Sequence, residues 1–286
     1  MKKSQQKPRP GSIRAKRREL RSYIAQHRPT FIVYIVLRVL VITTMVVAVL
    51  QGNYENLYYC TLTLILFLLP AFVEKNLGIS LPSVMEIIVL FFAFSAPFLG
   101  EMAKFYIKIP FWDTMLHTMN GFLCAAFGFA LVDIFNRSER FSVKMSPLYL
   151  AIVAFCFSMT VGVLWEFFEF FVDMFLHTDM QKDTVVTAIY STMLDPNQAN
   201  VAYPVRNITS TMVNGELLPI EGYLDIGLID TMKDLFVNFI GAVIFSVIGF
   251  FYVKNRGKNS IARNFIPEVV NFPKKIEKSP DESGQS

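Results

Sequence analysis

Charge is what this chain of 286 residues has least of: Asp, Glu, Lys and Arg make up 17%, against 53% hydrophobic residues and 28 Phe. A soluble domain carries about 25% charged residues, so an ordinary water-facing surface is excluded. Cysteine is scarce as well. Cys60, Cys124 and Cys156 are odd in number, each inside an apolar run and without paired spacing. That excludes a disulfide framework and a zinc pattern, and the three read as small buried apolar residues. The sequence has no His-Glu-x-x-His of a zinc protease, no Gly-x-Ser-x-Gly elbow and no Walker-type glycine loop, so these familiar enzyme plans do not apply.

What is present is apolar length. About twenty apolar residues cross a bilayer core, and six stretches qualify, at 31–50, 57–73, 83–100, 112–135, 147–172 and 229–253. Backbone polar groups cannot stay unpaired in lipid, so the spans must be helices. The fold expected is an all-α polytopic membrane helix bundle of about six transmembrane helices. The run Phe31–Leu50 exceeds the length of a signal-peptide core and reads as an uncleaved first helix. The second span is short and is expected to end near Pro70.

Basic residues then orient the chain. With the N-terminus in the cytoplasm, the inner segments 1–30, 74–82, 136–146 and 254–286 carry 10, 1, 3 and 7 Lys and Arg. The outer segments 51–56, 101–111 and 173–228 carry 0, 2 and 2. The positive-inside rule therefore puts both termini in the cytoplasm and leaves 173–228 as a long extracytoplasmic loop. Three parts follow: a basic tail over 1–30, a transmembrane domain over 31–253, and a cytoplasmic tail over 254–286 whose mixed charge, Pro, Ser and Gly suit disorder at its end. The expected partner is the lipid bilayer, with anionic lipid against the basic tail, and no nucleic acid; oligomeric state is open. Within the long loop, Asn214-Gly215 between apolar flanks predicts a hairpin.

Ionisable side chains inside membrane helices are costly and normally face a partner or a cavity. In the fourth span Asp113, His117 and Asn120 follow an i, i+4, i+7 spacing and share one helix face. Asp113 also suits a helix N-cap. In the fifth, Glu166, Glu169 and Asp173 stand at i, i+3, i+7 among Trp165 and several phenylalanines. Asp173 also suits a solvated helix end, but Glu166 and Glu169 have nothing structural to gain there. In the sixth, Asp230, Asp234 and Asn238 repeat every four residues, and Gly241-Ala242 offers a small surface for close helix approach. Alternating topology brings all three stripes to the outer part of the membrane. An oxygen-rich set with one imidazole suits a divalent metal ion, with Asp113, His117, Glu166, Glu169, Asp230 and Asp234 as candidate ligands and Asn120 and Asn238 in support. Glu166, Glu169 and Asp234 are the candidate catalytic carboxylates. A proton relay among the acids is the metal-free alternative. On the inner side, Arg38 and Glu86 have similar depths and suit an ion pair, or Arg38 snorkels to the interface.

The motif order Trp-Asp-x-x-x-His-x-x-Asn-Gly from Trp112, Trp-Glu-Phe-x-Glu from Trp165, and Asp-Thr-x-x-Asp-Leu-x-x-Asn-x-x-Gly-Ala from Asp230 resembles the YjdF-like family of bacterial inner-membrane proteins. The likeness covers roughly residues 30–255 and rests on Asp113, His117, Trp165, Glu166, Glu169, Asp230, Thr231, Asp234 and Asn238. It implies the bacterial cytoplasmic membrane and supplies no substrate. A looser similarity to VanZ-like membrane proteins lies in the Asp-x-x-x-His and Asp-x-x-x-Asn-x-x-Gly pieces. Three functions stay open: a metal-dependent membrane enzyme or lipid-handling protein, a proton- or cation-coupled transporter, and a non-catalytic membrane scaffold.

Overall fold

A computed structural model describes residues 28–137, 145–255, 258 and 260–269. Residues 1–27 of the basic tail and 270–286 of the C-terminal tail lie outside the described residues, so the readings of anionic lipid binding and terminal disorder are not addressed by it. Among the described residues six helices are long and apolar enough to cross a membrane: Arg28–Leu50, Tyr54–Leu77, Ser83–Met102, Trp112–Val132, Pro147–Leu176 and Leu228–Lys254. The protein is an all-α polytopic membrane bundle. Val36, Val39, Val46, Val49 and Phe72 are exposed along these helices, an apolar surface that water would not tolerate and lipid does.

The chain forms two compact units, one from residues 1–105, 130–145 and 252–286, the other from 106–129 and 146–251. The first holds α1 (Arg28–Leu50), α2 (Tyr54–Leu66), α3 (Leu69–Leu77) and α4 (Ser83–Phe94). Its core packs Val41, Cys60, Phe67, Leu90, Phe94 and Phe98. Two helices break their expected regularity. Pro70 does not end the second span but opens its continuation, sitting in the first turn of α3, where its missing N–H is not needed. Gly78, at φ 67°, closes α3 in the left-handed conformation that glycine adopts without strain. After α4 the chain continues as a π-helix, Ser95–Met102, that includes Pro97. Glu268–Val269 returns from the C-terminal side to pair antiparallel with Ile79–Ser80.

The second unit is built on α5 (Trp112–Arg137, to Phe129 within this unit), α6 (Pro147–Leu176) and α7 (Leu228–Lys254). Ser146 caps α6, accepting from Tyr149 N at 3.2 Å, and Pro147 occupies its first position. The buried face of α6 reads Leu150, Ala154, Ser158, Gly162, Glu166, Glu169, the three- and four-residue rhythm of one helix stripe. That of α7 reads Asp230, Asp234, Asn238, Gly241, Phe245, Gly249. Helices α5 and α7 meet backbone to backbone. A Cβ on Gly121 would strike the Asn238 carbonyl, and one on Gly241 would strike the Thr118 carbonyl. This reciprocal pair of glycines is what lets the two polar stripes approach.

Between α6 and α7 the chain makes short antiparallel pairings, Val185–Val186 with Tyr223–Leu224, Ala188–Ser191 with Tyr203–Arg206, and Met212–Val213 with Glu216–Leu217. The last is the expected hairpin. Asn214 and Gly215 turn it at φ 53° and 86°, positive at both central positions as a tight two-residue turn demands.

Candidate metal centre

The first two turns of α5 present Asp113 and His117 on one face, as an i, i+4 pair must. The glycine contacts hold α7 close enough for Asp234 to reach the same imidazole, and Glu166 arrives from α6. His117 Nε2 lies 3.5 Å from Asp113 Oδ1 and 3.7 Å from Asp234 Oδ2, while Nδ1 lies 3.8 Å from Glu166 Oε1. Donor atoms of Asp113, His117 and Asp234 all fall within 4.8 Å of one another, an arrangement able to hold a metal ion.

These separations have a chemical meaning. They exceed the 2.7–3.2 Å typical of hydrogen bonds to nitrogen. Two donors each about 2.1 Å from one tetrahedral ion stand about 3.4 Å apart, close to the two spacings at Nε2. The group is also dry. Asp234 is 1% exposed, Glu166 4% and His117 9%, and Asp234 Oδ1 and Glu166 Oε2 are buried without a hydrogen-bond partner. A buried carboxylate oxygen with no donor is expensive, so the unpartnered Oδ1 of Asp234, whose Oδ2 faces the imidazole, points to something cationic that satisfies it.

The remaining sequence candidates sit around this group. Glu169, one turn outward on α6, accepts a hydrogen bond at 2.7 Å from Trp165 Nε1. Asp230, one turn outward on α7, accepts from Lys182 N at 2.9 Å and lies 3.7 Å from Lys233 Nζ. Inward of the centre, Asn120 Nδ2 donates to Asn238 Oδ1 at 3.3 Å, and Asn238 Nδ2 donates to Ser158 O at 3.5 Å. Arg38 and Glu86 belong to the first unit. There the Arg38 guanidinium lies over the Tyr34 ring at 4.5 Å, and Glu86 stands in the first turn of α4.

Several contributors were not legible as such. Asp173 accepts from Thr178 Oγ1, Met180 N and Gln181 N at 2.7–2.8 Å, drawing the start of the loop onto the end of α6. Gln181 Nε2 donates to Thr231 Oγ1 at 2.7 Å. Asp225 accepts from Thr184 N and Ile229 N, both at 2.7 Å. Its place three residues before the helix was a usable cap signal, whereas no spacing rule would have found Gln181. Outside the membrane segments, three loop acids have displaced pKa values. Desolvation opposes ionisation of Asp225, but the backbone donors of Thr184, Ile229 and Gly227 outweigh it and hold the carboxyl below its ordinary value. Backbone donors from Asn197, Val201 and Ala199 do the same for Asp195. Asp183 goes the other way, raised by desolvation and by Asp179, Asp225 and Asp173.

Residues 32–255 match the family model described as "Predicted membrane protein (DUF2238)". An uncharacterised protein of Thermotoga maritima is 31% identical over 109 residues, covering 37% of this chain and 54% of that protein. The match thus spans about half the length of that relative. No solved structure matches. Matched from its first membrane helix to its last, this integral membrane protein belongs to the DUF2238 family of predicted membrane proteins.

Proposed function

We propose that this is a metal-dependent protein of the bacterial cytoplasmic membrane, holding one divalent first-row ion between Asp113, His117 and Asp234 near the outer face. One observation carries the reading: three side chains from two helices converge at inter-ligand spacing, with a buried Asp234 oxygen that no protein donor satisfies. An imidazole nitrogen with two carboxylates favours zinc, manganese or iron over magnesium and calcium, which prefer larger all-oxygen shells. Three protein donors leave coordination positions for water or substrate, the arrangement of catalytic rather than structural metal sites. This supports a membrane enzyme or lipid-handling protein, with Glu166 and Glu169 as the acids beside the ion. The motif order supports the YjdF-like resemblance within the wider family. The distribution of Lys and Arg supports cytoplasmic termini and an outward-facing 177–227 loop.

The test is metal content after purification without chelator, and after re-loading with zinc or manganese. Wild type is expected to hold a stoichiometric ion, and Asp234→Asn and His117→Gln to lose it while still folding. Folded wild type that takes up neither metal would overturn the reading in favour of an imidazolium locked among carboxylates. Cation flux in proteoliposomes that disappears in Asp234→Asn would replace the enzyme by a carrier.

A further inference from the structure

The imidazole of His117 is flanked unequally, and the inequality assigns different jobs to its acids. Nε2 faces two carboxylates, Asp113 from the same helix and Asp234 from α7, at 3.5 and 3.7 Å. Nδ1, on the other edge of the ring, faces a single carboxylate, Glu166 of α6, at 3.8 Å. A neutral imidazole can give only one nitrogen lone pair to an ion, and the other nitrogen then carries the proton. That proton needs an acceptor, and metal-binding histidines usually find one in a carboxylate or carbonyl behind the ring. The side on which two carboxylates and a nitrogen converge is the metal side. The side with one carboxylate is the acceptor side.

We infer that Glu166 is a positioning residue and not a ligand: standing 3.8 Å from Nδ1, it is the carboxylate placed to close up and accept a hydrogen bond from the Nδ1–H of His117 when Nε2 binds the ion, so fixing the ring in that tautomer and completing a carboxylate–histidine–metal relay across three helices. The inference rests on the metal reading above and deepens it. Two further features fit. Glu166 is 4% exposed, so water does not compete with the imidazole for its carboxyl oxygens. It also projects from a helix that contributes no member to the group of Asp113, His117 and Asp234, and it meets that group at the imidazole. Glu169 does not compete for this role, because its Oε1 is engaged by Trp165 Nε1.

The experiment uses the full-length protein in detergent, labelled with ¹⁵N-histidine and loaded with zinc. The chain has three histidines, and His27→Gln with His177→Gln leaves the His117 signals alone. The expected spectrum shows a metal-bound Nε2 and a protonated Nδ1. A metal-bound Nδ1 would overturn the assignment of Glu166 while leaving the metal reading intact. Protein that takes up neither zinc nor manganese would overturn both. In parallel, Glu166→Gln is expected to weaken zinc about 10–100-fold and to keep the cobalt(II) absorption envelope of wild type, with Glu166→Asp recovering part of the affinity. A Glu166→Gln variant with a different cobalt spectrum and the complete metal loss of Asp234→Asn would make Glu166 a ligand. The wild-type nitrogen measurement decides the question even where a variant fails to fold.

Discussion

At the scale of single residues, the membrane half of the centre depends on Asn238. It is 1% exposed and is shared by three helices, accepting from Asn120 of α5 and donating to Ser158 O of α6. Its amide also fills the space beside Gly162. Interhelical hydrogen bonds within membranes average about 0.6 kcal/mol, and the cavity left by truncation adds to that. Asn238→Ala should therefore lower stability by about 1–2 kcal/mol, read from thermal or SDS unfolding in micelles. A value indistinguishable from wild type would mean that Asn120 finds another partner. The residue scale is also where sequence reading was least complete. Helical spacing identified the faces carrying Asp113, His117, Glu166 and Asp234, because a 3.6-residue period fixes the direction of each Cβ. It did not identify contacts. Glu169 and Asp230 share those faces, yet the structure turns the first to Trp165 and the second to a loop amide. Trp165, four residues before Glu169, was a visible cue for the first. The second depends on Lys182, whose position follows from the loop and not from any helix pattern.

At the scale of elements, the distance between α5 and α7 sets the spacing of the site. Gly121 and Gly241 each sit where a side chain would enter the opposite backbone, and backbone cannot move aside as a flexible side chain can. Gly241→Ala should force the helices apart, costing about 1–3 kcal/mol, and separate Asp234 from His117. The expected result is lowered thermal stability together with weakened metal uptake, both measured on the purified variant. Normal uptake at reduced stability would show that the centre tolerates the displacement. The small residues after Asn238 were legible as a close-packing surface, although the reciprocal glycine on α5 was not singled out. Six membrane-length helices were legible because lipid demands about twenty apolar residues and paired backbone. The interruptions were not. Pro70 signals equally a helix end or a helix start, and only packing decides that it opens α3. Nothing in Ser95–Met102 announces a π-helix, whose rarity defeats any propensity rule.

At the scale of the whole molecule, three acids tie the loop after α6 to the helix ends that carry the centre. Asp173 holds Met180 and Gln181, Asp230 holds Lys182, and Asp225 holds Thr184. Asp225 and Asp195 lie outside the membrane segments and are held below the ordinary carboxylate value. A carboxyl with a depressed folded pKa stabilises the fold fully above its unfolded value of about 3.9, and that contribution is lost as pH falls through the lower folded value. Asp183 is raised, so its protonation works in the opposite direction and favours the folded loop on mild acidification. The loop should therefore stay closed from neutral pH down to about 4 and open only below it. Pepsin added outside sealed right-side-out vesicles between about pH 2 and 5 reads this as cleavage within 178–227. Cleavage is expected to begin below about pH 4, and Asp225→Asn should be cut already at the upper end of the range. Inverted vesicles should be resistant throughout if the loop faces outward, as proposed from the distribution of basic residues. Cleavage in inverted but not right-side-out vesicles would reverse the orientation and move the metal centre to the cytoplasmic face. Equal cleavage of wild type and Asp225→Asn at every pH would show that the loop is held by its strand pairings and not by its acids.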